Sequence, residues 1–153
     1  MPNTYTQIHI HLIFAVKSRK NLIYENHRIE LEKYICGIIS NKKCKILAIY
    51  CNPDHTHILI GMNPTISISD LTRDIKANSS KFINEQRWIP LRFNWQEGFG
   101  AFAHSKSQVE KVIEYILNQP KHHKISSFRK EYLSILKKFE IDFDEKYLFE
   151  WYD

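Results

Sequence analysis

The sequence predicts an α+β fold: a ferredoxin-like antiparallel sheet with helices laid against it. Three observations predict it. Residues 5–16 place Ile8, Ile10, Leu12, Phe14 and Val16 at strict alternation, the period of a strand with one apolar face. Two stretches of helical period, 26–42 and 67–85, flank a pair of strand-like runs joined at Asn52-Pro53-Asp54. A further extended segment near 101–104 completes the order β-α-β-β-α-β. In that topology the first and third strands lie side by side at the centre. Both helices cover one face, leaving the other for a site and a third helix.

Each element has a local cause. The first strand, Tyr5 to Val16, leaves through the basic loop of Lys17, Arg19 and Lys20. The helix over 26–42 carries Leu31, Tyr34, Ile35, Ile38 and Ile39 at i, i+3, i+4, i+7, i+8. Residues 44–51 form the second strand, and the turn residues after it hand the chain to a third strand over 53–60. The helix from Ser67 to about Glu85 starts at a cap of Ser67 with Asp70, and Ile68, Leu71, Ile75 and Phe82 form its stripe. Gly98-Phe99-Gly100 bends the chain between short strands near 93–95 and 101–104. Ser107 to Gln119 is a third helix, opened by a Ser107…Glu110 capping box and ended by Pro120. A fourth helix runs from Ser126 to about Glu140, and the aromatic tail over 141–153 docks on the rest.

Composition narrows the class. At 153 residues, 43% hydrophobic and 25% charged, the chain reads as one globular domain over 1–153 with a sizeable core. It has no apolar run of about 18 or more residues, hence no expected membrane span, and no signal-peptide pattern follows Met1. Three cysteines, Cys36, Cys44 and Cys51, without a C-x-x-C pair, fit reduced thiols in a cytoplasmic protein. A net charge of +5 favours a polyanionic partner such as nucleic acid.

The chemistry concentrates on two elements. In the strand Asp54-His55-Thr56-His57-Ile58, residues two apart face one side, so His55 and His57 present two imidazoles about 7 Å apart along the backbone, close enough to share one metal ion. On the third helix Tyr115 and Gln119 are i, i+4 and stack one turn apart, at the flank of the stripe Val109, Val112, Ile113 and Ile116. His9-Ile10-His11 is a second His-x-His on a strand, and a neighbour of the third strand in this topology. Either His9 or His11 is expected to support the site as an outer or structural histidine.

These residues carry a resemblance. Asp54-His55-Thr56-His57, then Tyr115-Ile116-Leu117-Asn118-Gln119 with His122-His123, resemble the insertion-sequence-200-like single-tyrosine transposases of the HUH endonuclease superfamily. The likeness begins at Ile10-His11-Leu12-Ile13-Phe14 and continues through Leu71-Thr72-Arg73-Asp74-Ile75-Lys76 and Trp95-Gln96-Glu97-Gly98-Phe99-Gly100. Two positions depart from the pattern: Thr56 stands where a bulky hydrophobe is usual, and Pro120 directly follows Gln119. The resemblance implies an HUH-endonuclease type of fold. It implies His55, His57 and Gln119 as ligands of Mg²⁺ or Mn²⁺, and Tyr115 as the nucleophile. It further implies single-stranded DNA bearing a hairpin as substrate, a 5′-phosphotyrosine intermediate, and a homodimer in which the tyrosine helix of one subunit can complete its partner's site.

Other residues belong to weaker patterns. Lys17, Arg19, Arg73, Lys76 and Lys81 suit phosphate contacts, and Trp95, with Phe93, Phe99 and Phe102, suits either base stacking or the core. Asp70, Asp74 and Glu97 form no recognisable carboxylate triad. The alternative functions are a non-cleaving hairpin DNA- or RNA-binding module of the same fold, and an unrelated metal-binding α+β protein.

Overall fold

Alternation in the first strand decides where the layers lie. In the computed structural model, which describes residues 3–121 and 127–143, β1 (His9–Ala15) sends Ile10, Leu12 and Phe14 into one core and Ile13 and Ala15 into another. A 3-10 turn (Lys17–Arg19) leads to α1 (Glu25–Asn41), β2 (Lys45–Cys51) and β3 (His55–Gly61). Then come α2 (Ile68–Gln86), β4 (Gly100–His104), a 3-10 turn (Lys106–Gln108), α3 (Val109–Leu117) and α4 (Phe128–Lys138). The strands pair antiparallel in the order β2-β3-β1-β4, the ferredoxin-like order, with β3 and β1 at the centre. No helix among the described residues is long and apolar enough to cross a membrane.

One face of the sheet is closed by α1 and α2. Leu31, Ile35 and Ile39 of α1 and Leu71, Ile75 and Ile83 of α2 join Leu12, Phe14, Ile58 and Ile60 in the larger core. Each such side chain stabilises the fold by about 1.5–3 kcal/mol when fully buried. Ser67 caps α2 as its spacing suggests, its Oγ accepting from the Asp70 amide at 3.0 Å. The opposite face receives α3 over Ala48 and Leu59, and α4 over Ile13, Ala15 and Phe102. From His55 to Ile60 every residue of β3 is buried, as a central strand covered on both faces requires.

Several boundaries differ from the sequence pattern. Strand β1 begins at His9, not Tyr5, because its partner strands stop at Gly61 and His104, beyond which one backbone bond remains, from the Met62 amide to the Ile8 carbonyl at 2.8 Å. Tyr5 is accordingly 91% exposed. The extended piece near 93–95 is a single bridge between Val16 and Trp95. The Ser107…Glu110 capping box does not form: Ser107 Oγ hydrogen-bonds Ser105 Oγ at 2.9 Å, and α3 starts at Val109 behind a 3-10 turn. Helix α3 ends at Leu117 with Asn118 as its C-cap, and residues 119–121 are helical again. Pro120 therefore sits in the first turn of a helical stretch, where its missing N–H goes unneeded. Helix α4 starts at Phe128, with Ser127 Oγ accepting from the Lys130 amide at 3.3 Å. The His122-His123 pair, Ser126 and the tail from residue 144 lie outside the described residues.

Candidate active site

The two histidines of β3 come together as the alternation dictates. His55 is paired with Ala15 and His57 with Ile13, so both face the layer of α3 and α4, their rings 5.1 Å apart. Both are buried. Their Nδ1 atoms are held from outside: His55 Nδ1 lies 2.7 Å from Asp54 Oδ1, and His57 Nδ1 lies 2.8 Å from His11 Nε2. Their Nε2 atoms turn to a common point, where Glu131 Oε1 of α4 lies 3.1 Å from His57 Nε2 and 3.6 Å from His55 Nε2. Phe128, one turn before Glu131, stacks on the His55 ring at 3.8 Å.

Glu131 gathers the rest of the site. The Tyr115 hydroxyl donates to its Oε2, and Gln119 Nε2 donates to the same oxygen at 3.1 Å. Gln119 is fully buried and its Oε1 accepts from Asn52 Nδ2 at 3.1 Å. Asn52 also approaches His55 Nε2 at 3.2 Å. Tyr115 and Gln119 thus meet on one carboxylate, although Gln119 has left the α3 helix and its amide oxygen is engaged by Asn52. The Tyr115 ring stands 5.9 Å from the His57 ring, within the same chain.

The electrostatics follow from burial and these contacts. His11 is held well below the usual imidazole range, first by burial and then by the neighbouring His57 and His104. A neutral His11 can accept the Nδ1–H of His57, which leaves the Nε2 lone pair of His57 for a ligand. For His55, burial opposes the charged form, but hydrogen bonds to Asp54 and Glu131 outweigh it and raise its pKa. Burial pushes the Tyr115 hydroxyl far up, and the Glu131 charge pushes further, so Tyr115 stays protonated until its proton is taken.

This donor set fits a divalent cation. Ligand atoms of His55, His57 and Glu131 lie within 4.8 Å of one another. Two imidazole nitrogens and a carboxylate oxygen, each imidazole fixed by an outer partner, suit a transition-type ion such as Mn²⁺ and leave positions for phosphate oxygens. The fourth helix showed one sign of this role in the sequence: Glu131 stands at i+3 from Phe128 and i−4 from Ile135, a carboxylate on an apolar stripe. Nothing in the spacing of His55 and His57 pointed to that helix. His11 of the His9-Ile10-His11 pattern proves to be the outer partner of His57.

The remaining expected contacts divide by burial. Trp95 belongs to the core: it is 8% exposed, wedged edge-on between Phe14 and Phe93, and its Nε1 donates to Ser79 Oγ at 2.9 Å. It cannot stack on a base, which corrects that expectation. The Lys76 ammonium donates to the Gln96 carbonyl at 2.7 Å and to the Gly98 carbonyl, and burial lowers its pKa to about 8. Lys76 ties down the loop before β4 instead of presenting a free charge. Arg73 and Lys81 are open to solvent, Arg73 3.3 Å from Asp70 and Lys81 3.9 Å from Glu85, pairs that contribute little to stability. Lys17 is exposed, and the Arg19 side chain lies outside the described part. None of these five cations touches the histidine site among the contacts described.

Comparison with known proteins identifies the family. The chain matches the family described as "Transposase IS200 like" over residues 4–119, a stretch from before β1 through Gln119 that stops short of α4. The transposases for insertion sequence element IS200 of Salmonella typhimurium and Salmonella typhi are each 28% identical to it over 115 residues, covering 71% of this chain and 74% of theirs. Among solved structures, a Deinococcus radiodurans protein described as a transposase has a TM-score of 0.62 at 21% identity, over 76% of this chain and 94% of that one. A REP-associated tyrosine transposase bound to a REP hairpin has a TM-score of 0.59 at 18% identity, over 79% and 72%. A buried His-x-His strand facing a tyrosine helix, on a fold shared with these structures and a sequence matched across it, places the chain in the IS200-like transposase family.

Proposed function

We propose that the chain is a metal-dependent transposase and endonuclease of single-stranded DNA, which nicks and rejoins hairpin-bearing element ends through a 5′-phosphotyrosine. The observation that carries this reading is the convergence of the Tyr115 hydroxyl and both histidine Nε2 atoms on the Glu131 carboxylate. The hairpin in the structure of the REP-associated neighbour supports a hairpin substrate.

The roles are as follows. His55, His57 and Glu131 would hold Mg²⁺ or Mn²⁺, and Gln119, buried against Glu131, would either join them after its amide turns from Asn52 or position the carboxylate. A cation held there would supply Lewis-acid chemistry, polarising the scissile phosphate and offsetting its growing charge. Tyr115 is the nucleophile: its Oη forms a bond to phosphorus while the P–O3′ bond breaks, and the departing O3′ takes a proton from solvent to become a free 3′-hydroxyl. The tyrosine proton passes to Glu131 Oε2, the atom it already faces. A base is needed because a free tyrosine is only about one part in a thousand ionised at pH 7, and burial lowers that fraction here. In the return step a 3′-hydroxyl of another DNA end attacks the phosphotyrosine and gives up its proton to solvent, while the departing Tyr115 oxygen takes back the proton held on Glu131. The bond energy stays in the covalent link, so no nucleotide cofactor is required.

Tyr115 of one chain already reaches the histidines of that chain, which supports action in cis. A homodimer working on DNA in the cytoplasm would then carry two self-contained sites. The test incubates the protein with hairpin-bearing single-stranded DNA and Mn²⁺ and resolves covalent adducts on a denaturing gel. An adduct is expected with Mn²⁺, and none with chelator or with Tyr115→Phe. Hairpin binding without any adduct would favour the non-cleaving module instead.

A further inference from the structure

Beyond the reacting centre, α3 and α4 diverge over β1 and β4 to leave a cleft of about 500 Å³. Tyr115 and Glu131 form its inner end, so it opens directly from the site described above. At its outer end stand Lys111, one helical turn before Tyr115, and Lys138, two turns after Glu131. By helical rise Lys111 lies roughly 6 Å along α3 from Tyr115, a span that one nucleotide can bridge. Both lysines are exposed and neither forms an ion pair with a described residue, while Glu131 is the sole carboxylate among the described lining residues. Flat rings supply the walls: Phe139 meets the His104 ring edge-on at 5.4 Å, and His104 Nε2 has no hydrogen-bond partner. Helix α4, which provides one wall, lies past residue 119, where the family match ends.

We propose that this cleft binds the nucleotide unit next to the scissile phosphate, with its base against Phe139 and His104 and its far phosphate on Lys111 and Lys138. The proposal rests on the transposase reading and adds a contact by which the protein itself selects the strand at the cut. A cationic mouth on an aromatic-walled cleft suits a single strand, in which the base is free to leave its stack. A duplex would have to be opened first.

The test uses a fluorescein-labelled twelve-residue oligothymidylate and the full chain carrying Tyr115→Phe, which keeps the ring but cannot form the adduct. Adding Lys111→Gln and Lys138→Gln is expected to weaken binding. It should also flatten the dependence of log Kd on log salt by about 0.7, the value for the one single-strand phosphate that the two lysines share. Lys33→Gln, on the helix layer across the sheet, should leave that slope unchanged. The unaltered chain is also irradiated with the same oligomer containing 4-thiothymidine, and crosslinks are expected in peptides holding His104 or Phe139. An unchanged slope in the double variant, or crosslinks confined to other surfaces such as that of Arg87 and Arg92, would overturn the proposal. The transposase reading fails differently, by the absence of a covalent adduct on hairpin-bearing DNA, and that result would leave a crosslink in the cleft standing.

Discussion

At the scale of single residues, the site turns on Glu131. It lies 74 positions after His57 in the chain, yet it touches His57, Tyr115 and Gln119. Glu131→Gln keeps its size and removes its charge. Calorimetric titration should show Mn²⁺ affinity reduced at least tenfold, by loss of the one anionic ligand. The rate of adduct formation at saturating Mn²⁺ should fall about 10²-fold or more, as expected when a proton acceptor is lost. Unchanged Mn²⁺ affinity would remove Glu131 from the ligand set. A pH dependence follows from His55, whose pKa is raised because its bonds to Asp54 and Glu131 outweigh burial. Below that raised value a proton holds the place that the cation needs. Mn²⁺ affinity should therefore climb as pH rises through the range above about 6.5, the ordinary imidazole value, and level off once His55 is neutral. Asp54→Asn removes one of the groups holding the proton, so its climb should fall at lower pH in the same titration.

The faces that the two histidines and the tyrosine occupy were legible in the sequence because each obeys a local period, while their expected roles came from the family resemblance alone. Strand alternation puts His55 and His57 on one face, and the helical wheel puts Tyr115 at the flank of its stripe. Glu131 was not, since its partners come from β3 and α3 and only the packing of α4 brings it to them. The core role of Trp95 was equally hidden. An aromatic in a loop reads alike as a stacking platform or as core until Phe14 and Phe93 are seen around it.

Among elements, α4 is the one whose placement the site depends on. It can lie close to β4 because Gly100 has no side chain: a Cβ there would come within 2.5 Å of Tyr132 Oη and 2.9 Å of the Phe102 ring. Gly100→Ala should therefore destabilise the fold by about 1–3 kcal/mol, read as a lower urea midpoint at unchanged m-value. It should weaken Mn²⁺ binding as well, because the helix that shifts carries Glu131. An unaltered midpoint would show that α4 does not pack as described. Helix boundaries were the least legible feature, and the reason is physical. The Ser107…Glu110 pattern is a cap only if the chain enters the helix there, and the 3-10 turn moves the entry to Val109. Pro120 marks the edge of a helix without saying which side of it the helix lies on.

At the scale of the whole molecule, the β-α-β-β-α-β order sufficed to place β3 beside β1, since each crossover leaves few alternatives, whereas the register that brings His57 to His11 rather than His9 is seen only in the structure. One face of the sheet carries the larger core and the other the candidate site, where a single chain brings histidines, carboxylate and tyrosine together. Action in cis predicts that mixing Tyr115→Phe with His57→Ala, each shown by circular dichroism to be folded, yields no adduct. Recovery of adduct in the mixture would mean that subunits exchange their tyrosines. The most direct measurement is mass spectrometry of the peptide that carries DNA after reaction with hairpin-bearing single strands and Mn²⁺. The account predicts the 5′-phosphate of the cleaved strand on Tyr115; attachment to another residue, or through a 3′-phosphate, would contradict it.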